Sequence, residues 1–573
     1  MKDKIIKLLN SKLLFAFVLN VLIMLLCIHL TSFSYDSSKD FYNSLYISQN
    51  HYYFGSSVNY ILATLVGSVQ YVLMNFNCFV LAQILLSCVA FTSVTFVFAD
   101  KFNKKKALIF TALIVILFAT HHYSDIHSNK TSALLLTAGF MLVLNAIRNK
   151  RYNLPCWIGV TEIAFGSFFN FKYFFVSLAF AVAFFAGDMI SKRKYKFPLR
   201  KFFWYFRPYL LMFAFVVLVT ILLNNYSYSV NQSTQEASEY YEYSQLVDSI
   251  DRLPYPDFTK YNEEFKEVGI TTEYEYELLK SGYYDNDKSL NTNALKLVSE
   301  LQQKDNSKTI LYAISNTFED IGYHITSFDN FFVIYLVFVV IAVLYVLLHK
   351  KRFVFFPVFY VLTGLISGIT IHYLFIGKSY NTYGIWLMMI VFLLYSIDFE
   401  KLRSFKFNSY DKLKSHYMII SLAFVAILFM CNSLIYQANV NVINKKSIPQ
   451  SLYYEIDRHP ERYYVVDPAS FDEFIKYSEN YMHPLWGFRK SFLDNVDGFK
   501  YFHHDTQLRK RNLSENIYEA ILKGNNIYVI DKNITFKKER YFTNNYAQDD
   551  ETIVYEQVNE LDGYKIYKVN IVK

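Results

Sequence analysis

Cysteine is scarce: the 573 residues hold five, and Cys27, Cys78, Cys88, Cys156 and Cys431 all fall in or at the ends of apolar runs. That placement argues against a disulfide framework in the water-exposed parts and leaves the thiols as small packing groups. Also missing are a Walker A loop, a dinucleotide Gly fingerprint and a nucleophile elbow, which removes the usual sequence support for ATP-driven transport and serine hydrolysis. Charges inside the apolar runs are few and no internal repeat stands out, which weighs against a coupled ion or substrate pathway. Thr31-Ser32-Phe33-Ser34 offers no small-residue cleavage pattern after the first run, so that run is expected to remain as an uncleaved anchor.

Apolar and aromatic residues are what the chain has in abundance, at 53% and 19%. Such a composition over this length describes an integral membrane protein with sizeable exposed parts. The net charge of +8 comes mostly from Lys and Arg beside apolar runs, where membrane orientation accounts for it, so no nucleic-acid partner is expected.

Apolar windows of spanning length occur near 12–32, 77–99, 107–120, 131–147, 156–168, 174–190, 203–223, 330–348, 353–372, 383–398 and 417–437, about eleven in all. Lys2, Lys4, Lys7 and Lys12 precede the first, and every second gap is basic, from Lys101, Lys104, Lys105 and Lys106 to the cluster between Lys401 and Lys414. The positive-inside rule then predicts a cytoplasmic N-terminus and an external C-terminus. Around 166–173 a single kinked element could replace two short spans, and 60–74, broken by Gly67 and Gln70, reads as a helix at the outer interface.

The predicted organisation is a first bundle over 1–223 with an outer loop at 33–75, an outer insertion over 224–329, a second bundle over 330–437 and a C-terminal unit over 438–573. The insertion is acidic and Tyr-rich; helical periodicity over 261–268 and 274–279, separated by Gly269 and Thr271-Thr272, predicts a C-cap followed by an N-cap. In the tail, strand patterns at 463–467 and 527–531, a helix over 514–522 and a hairpin around Leu561-Asp562-Gly563 predict a small α/β domain. The expected fold class is therefore a polytopic α-helical membrane protein carrying an outer helical insertion and a C-terminal extracytoplasmic α/β domain.

Candidate chemistry gathers in the outer gaps. Asp36 and Asp40 follow the first span at i and i+4 and would share a face if the segment is helical. Such a pair can act as a general base or hold a divalent metal, and it can equally be a solvated loop. The turn His121-His122-Tyr123-Ser124-Asp125-Ile126-His127 is the densest set of metal-ligand types, with Asp125 and His127 as the candidate metal ligands, but its spacing matches no zinc signature and it also reads as an interfacial polar turn. His459-Pro460-Glu461-Arg462, Trp486-Gly487-Phe488-Arg489 and His503-His504 are tail sequences that ordinary turns explain equally well.

A first span, an outer loop opening on Asp36 and Asp40, an interfacial helix, many further spans and an outer α/β tail together resemble the GT-C superfamily of membrane glycosyltransferases. More closely, the chain resembles multi-spanning surface-glycan proteins of low-GC Gram-positive bacteria, with Phe265 to Tyr276 similar to their outer helical insertion. The resemblance implies sugar transfer from a polyprenyl-phosphate donor to a cell-surface glycan or related acceptor, at the outer face of the plasma membrane. Asp36 and Asp40 match the position of the family's first-loop acid, with a divalent metal as a candidate cofactor. Where related proteins often carry Arg, this chain has Lys172 and Lys378, which meet a phosphate as point charges without a bidentate fork. With His121 and His122 they are the candidate donor-phosphate contacts. The alternative is a non-catalytic transporter, scaffold or polymerase component of surface-polysaccharide export. Convergence of Asp36, Asp40, the His121 turn and Lys378 on one outer cavity is what the enzyme reading requires.

Overall fold

The structure is a computed structural model that describes residues 11–30, 34–35, 43–44, 47, 58–102, 104–123, 125–192, 199–250, 253–305, 310–327, 330–348, 354–374, 379–397, 450–474, 485, 494–499, 505–514, 516–532 and 535–573. The span expected at 417–437 lies outside them, as do Asp36, Asp40, Lys378, Trp486 and His503-His504.

The first bundle comprises α1 (Lys12–Leu30), the short β1 (Ser34–Tyr35), α2 (Tyr60–Val72), α3 (Cys78–Lys101), α4 (Lys104–Tyr123), β2 (Asp125–Ile126), α5 (Ser128–Asn149), α6 (Leu154–Phe169), α7 (Phe171–Lys192) and α8 (Leu199–Asn231). Among the described residues six helices are long and apolar enough to cross a membrane, against about eleven expected spans: Lys12–His29, Cys78–Lys101, Ser128–Asn149, Phe171–Ile190, Phe206–Asn231 and Phe355–Tyr373, while Tyr60–Val72, Ala107–Ala119, Leu154–Phe169 and Thr382–Ser396 are shorter apolar helices. The ambiguity around 166–173 resolves into two helices, because Asn170 is extended (φ −156°, ψ 104°) and ends α6 before α7 begins. At the centre, α5 and α6 approach through Gly139 and Gly159; a Cβ on Gly139 would lie 2.6 Å from the Gly159 carbonyl oxygen. Small residues at a helix crossing let the two backbones meet.

After the insertion the chain returns as α13 (Ile310–Ser327), α14 (Asn330–Leu348), α15 (Phe355–Leu374) and α16 (Ser379–Ser396). At one end of the bundle Lys12 pairs with Asp100 at 3.1 Å, Asn145 donates to Asp100 at 3.1 Å, and the Tyr395 hydroxyl donates to Asn145 at 3.3 Å. This end also carries Lys101 and Arg148. At the other end the Tyr383 hydroxyl donates to the Phe118 carbonyl at 3.2 Å, and Asn170 donates to Asn129 at 2.7 Å. Neighbouring helices therefore run in alternate directions.

One helix departs from the expected layout. Sequence placed 310–327 within the exposed insertion, yet α13 is strongly amphipathic and packs on α15, where the Thr317 hydroxyl meets His372 Nδ1 at 3.2 Å. It meets α14 at a bend of 98° and turns Leu311, Phe318 and Ile325 outward, seven residues apart. A helix set at this angle to α14, with an unshielded apolar stripe, suits the membrane–water boundary.

The remaining insertion helices are α9 (Gln235–Ile250), α10 (Asn262–Glu267), α11 (Glu273–Lys280) and α12 (Thr292–Asp305). Gly269 (φ +90°) ends the α10 turn, and Thr272 with Glu275 forms the capping box that opens α11, satisfying otherwise orphaned backbone donors. The tail contains α17 (Gln450–Arg458), β3 (Tyr463–Val466), α18 (Pro468–Phe474), β4 (Val496–Gly498), α19 (Asp505–Lys510), α20 (Ile517–Lys523), β5 (Ile527–Asp531), α21 (Phe536–Tyr546), β6 (Thr552–Leu561) and β7 (Tyr564–Val572). Its sheet has the order β4-β3-β5-β7-β6, with β3 parallel to β4 and β5 and the last hairpin antiparallel. Asp562 (φ 53°) and Gly563 (φ 79°) make the hairpin turn, the two left-handed positions such a turn requires.

Insertion and tail share one apolar core, in which Phe265, Tyr276 and Leu290 pack with Tyr463, Val465 and Ile530. Polar contacts reinforce it: the Tyr541 hydroxyl donates to Asp285 at 2.9 Å and the Tyr518 hydroxyl to the Tyr284 carbonyl at 3.1 Å. At the carboxyl ends of β3 and β5, the buried Lys538 ammonium contacts Asp467 at 2.9 Å and Asp531 at 2.5 Å, and the Tyr283 hydroxyl donates to Asp467 at 2.6 Å. Burial, followed by the negative field of Asp467, pushes the Tyr283 phenol well above its ordinary range and keeps it a donor. In an open sheet of this order, the crevice between β3 and β5 is where ligands ordinarily enter. Here a side chain of the insertion fills it.

Candidate functional site

The site is assembled where α4 ends and α5 begins. β1 pairs in parallel with β2, Ser34 opposite Asp125 and Tyr35 opposite Ile126. The first-loop segment that leads directly into Asp36 is thereby tied, through its backbone, to the turn carrying the histidines. His127 ends the turn as the N-cap of α5, its Nδ1 accepting from the Asn129 N–H at 3.0 Å. That bond occupies the ring nitrogen nearer the backbone. Among the described residues no group of three or more His, Cys, Asp or Glu is gathered to hold a metal ion; the side chains of His121 and Asp125 lie outside them.

His122 is buried with its ring edge-on to Phe91 (5.4 Å between centroids) and tilted against Tyr383 (5.5 Å). Tyr383 also meets Lys130, whose ammonium is 5.8 Å from the ring centre in a residue only 4% exposed. A cation held within the apolar bundle carries a large desolvation penalty and marks a functional position more often than a structural one. The π-face of Tyr383 offsets part of that penalty. Phe331 packs edge-on to Tyr383 with ring centres 6.3 Å apart and stacks on His324 at 4.4 Å, and His324 lies 3.4 Å from Asp320 on α13.

Lys172 is exposed on the first turn of α7, and its N–H donates to Asn170 at 3.0 Å. Through the bond from Asn170 to Asn129, this turn is joined to the residue preceding Lys130. The structure thus gathers β1, the His121–His127 turn, Lys130 and Lys172 at one end of the bundle. The tail reaches the same end: Leu485 is buried in the bundle core and its carbonyl accepts from the Asn77 N–H at 3.0 Å.

Sequence reading missed three groups here. Lys130 was hidden as the flank of an apolar run, although a lysine three residues after His127 was a legible signal. Tyr383 and His324 gain meaning only from helix packing. Deeper in the bundle, Glu162 of α6 is also buried, accepting from the Ser93 hydroxyl at 2.5 Å; a single acid in an apolar run had not stood out.

Fold and site together define a polytopic helical membrane protein in which the His121–His127 turn, Lys130 and Lys172 share one end of the bundle, opposite the end that carries Lys12, Lys101 and Arg148. The chain matches no protein-family model, no curated protein and no solved structure.

Proposed function

We propose that the chain transfers a sugar from a polyprenyl-phosphate donor to a cell-surface glycan at the outer face of the plasma membrane. The bundle end carrying Lys12, Lys101 and Arg148 is assigned to the cytoplasm by the positive-inside rule. The site end, the insertion and the tail then face outward, with α13 at the interface and the segment 417–437 as a further span. The observation that carries the reading is the β1–β2 pairing, which ties the approach to Asp36 to the histidine turn and, through it, to Lys130.

Asp36 or Asp40, as general base, takes the proton from an acceptor hydroxyl. The acceptor oxygen bonds to the sugar's anomeric carbon as the bond from that carbon to the lipid phosphate breaks. Lys130 and Lys172, with Lys378, His121 and His122 as further contacts, offset the charge left on the departing phosphate. If a divalent ion takes part, Asp36 and Asp40 are its first candidates and Asp125 its next, whereas His127 has only Nε2 to offer beside its capping bond. The test is transfer from radiolabelled polyprenyl-phosphate sugar in proteoliposomes: Asp36→Asn or Asp40→Asn is expected to lower it at least about a hundredfold with the protein still folded. Full activity in both variants refutes the reading.

A second reading, a component of glycan export, is favoured by Glu162, whose Oε2 has no partner among the described residues. Loss of export in Glu162→Gln, with Asp36→Asn unaffected, would select it.

A further inference from the structure

The long helix α8 sorts its residues by face. Phe206, Tyr209, Phe213 and Val216 are buried against the bundle, where Phe185 of α7 meets the rings of Phe206 and Tyr209 with centres 4.9 and 5.2 Å apart. The other face points away from the protein: Leu211, Phe215, Leu218 and Leu222 are exposed and form an apolar stripe along the crossing part of the helix, Phe206–Asn231. At its head lies an open groove lined by Trp204, Arg207, Leu210 and Leu211. This groove is at the bundle end opposite the histidine turn, because α7 runs from Lys172 at the site end to Lys192, and α8 starts from there.

The chemistry of the groove selects a ligand with an anionic head and an apolar tail. Side chains on a helix lean toward its N-terminus, and the Arg207 guanidinium lies 5.3 Å from the centre of the Trp204 ring one turn back. That contact orients the planar fork for two oxygens of a phosphate, and the indole suits the headgroup level of a bilayer. Pro208 brings no N–H to the Trp204 carbonyl, so the same spot offers an acceptor for a headgroup hydroxyl. From Arg207 to Leu222 the helix rises roughly 22 Å, more than the roughly 15 Å depth of one leaflet's hydrocarbon. Charge nearby in the chain has one sign: no Asp or Glu occurs between Asp188 and Glu236, whereas Lys192, Arg193, Lys194, Lys196, Arg200 and Lys201 do. We propose that Trp204, Arg207, Leu210 and Leu211 bind one anionic phospholipid of the cytoplasmic leaflet, its phosphate on Arg207 and an acyl chain along the α8 stripe. The site does not depend on the glycosyltransferase reading, and its leaflet follows from the orientation given above.

Native mass spectrometry tests it, on the full-length protein released from nanodiscs of phosphatidylglycerol and phosphatidylcholine in equal amounts. Wild type is expected to retain phosphatidylglycerol over phosphatidylcholine by at least about tenfold, the size of one charged hydrogen bond. Arg207→Gln should abolish that preference, and Arg207→Lys should keep part of it. Both changes fall on an exposed side chain, so the melting temperature in phosphatidylcholine alone should not move. Arg151→Gln removes another exposed cation at the same bundle end and should leave the preference intact. An excess of inorganic phosphate should not displace the lipid, because the acyl chain contributes to its binding. Equal retention of the two lipids by wild type, or an undiminished preference in Arg207→Gln, overturns the proposal. A loss of the same size in Arg151→Gln would show attraction by net charge alone, and displacement by phosphate would show an anion site without a lipid track; either result overturns it as well.

Discussion

Replacing Lys538 by Met should loosen the joint core of insertion and tail more than any surface change could. The ammonium bridges Asp467 and Asp531, which are 2% and 1% exposed, at 2.9 and 2.5 Å. Methionine keeps most of the side-chain volume, so the packing loss is small. Two buried carboxylates are left without their cation, and breaking a buried pair in this way costs about 3–5 kcal/mol. Asp467 keeps the Tyr283 hydroxyl at 2.6 Å and the Ser470 N–H at 3.1 Å, which favours the lower part of that range. Hydrogen exchange is the assay, read on peptides covering 463–467 and 527–531; there the Asp467 N–H donates to the Ile530 carbonyl at 2.9 Å. At about 1.4 kcal/mol per factor of ten, exchange should quicken roughly a hundredfold or more. Adding Asp531→Asn removes one uncompensated charge and should restore part of the protection. An acceleration below tenfold would refute the reasoning and show that the cluster is not what closes the sheet.

Three further outcomes are expected. Gly139→Ala should lower the melting temperature of the detergent-solubilised protein, and Gly139→Val lower it further: the new Cβ would lie 2.6 Å from a carbonyl oxygen and 2.7 Å from Ile163 Cγ1, and overpacking of this kind costs about 1–3 kcal/mol. Burial raises the Asp285 carboxyl, and the hydroxyls of Tyr546 and Tyr541 only partly offset this. A raised acid stabilises the fold most below its unfolded pKa and loses that contribution as pH rises through its folded value, so the melting temperature of Asp285→Asn should gain on wild type with rising pH, and parallel curves would count against it. Lys130→Met should raise the KM for the lipid donor about ten- to a hundredfold, the worth of one charged hydrogen bond, with partial rescue by Lys130→Arg; an unchanged KM removes Lys130 from phosphate binding.

Much of the local architecture was legible in the sequence because it depends on short-range rules. Gly269 and Thr272 announced a helix end and start, Asp562-Gly563 a left-handed turn, and Tyr463–Val466 and Ile527–Asp531 buried strands. The strand β4 was not legible, since three residues carry too little periodicity. Nor was the register of α13, whose polar residues made it look like part of a water-soluble insertion until its contacts with α15 were known. For the site, the His121–His127 turn stood out by composition. Its pairing with Ser34-Tyr35 joins residues about ninety positions apart, and local pattern cannot report such a contact.

The common core of insertion and tail has a consequence for biosynthesis. Phe265, Tyr276 and Leu290 are synthesised first, while their partners Tyr463, Val465 and Ile530 are still to be translated, roughly 170 to 270 codons later. At about 5–20 residues per second, that leaves on the order of ten seconds or more in which an aromatic half-core waits without its sheet. A nascent segment in that condition needs shelter, and the exposed apolar residues Leu311, Phe318 and Ile325 of α13, which follow it directly in the chain, are the nearest apolar surface it could use until the tail arrives.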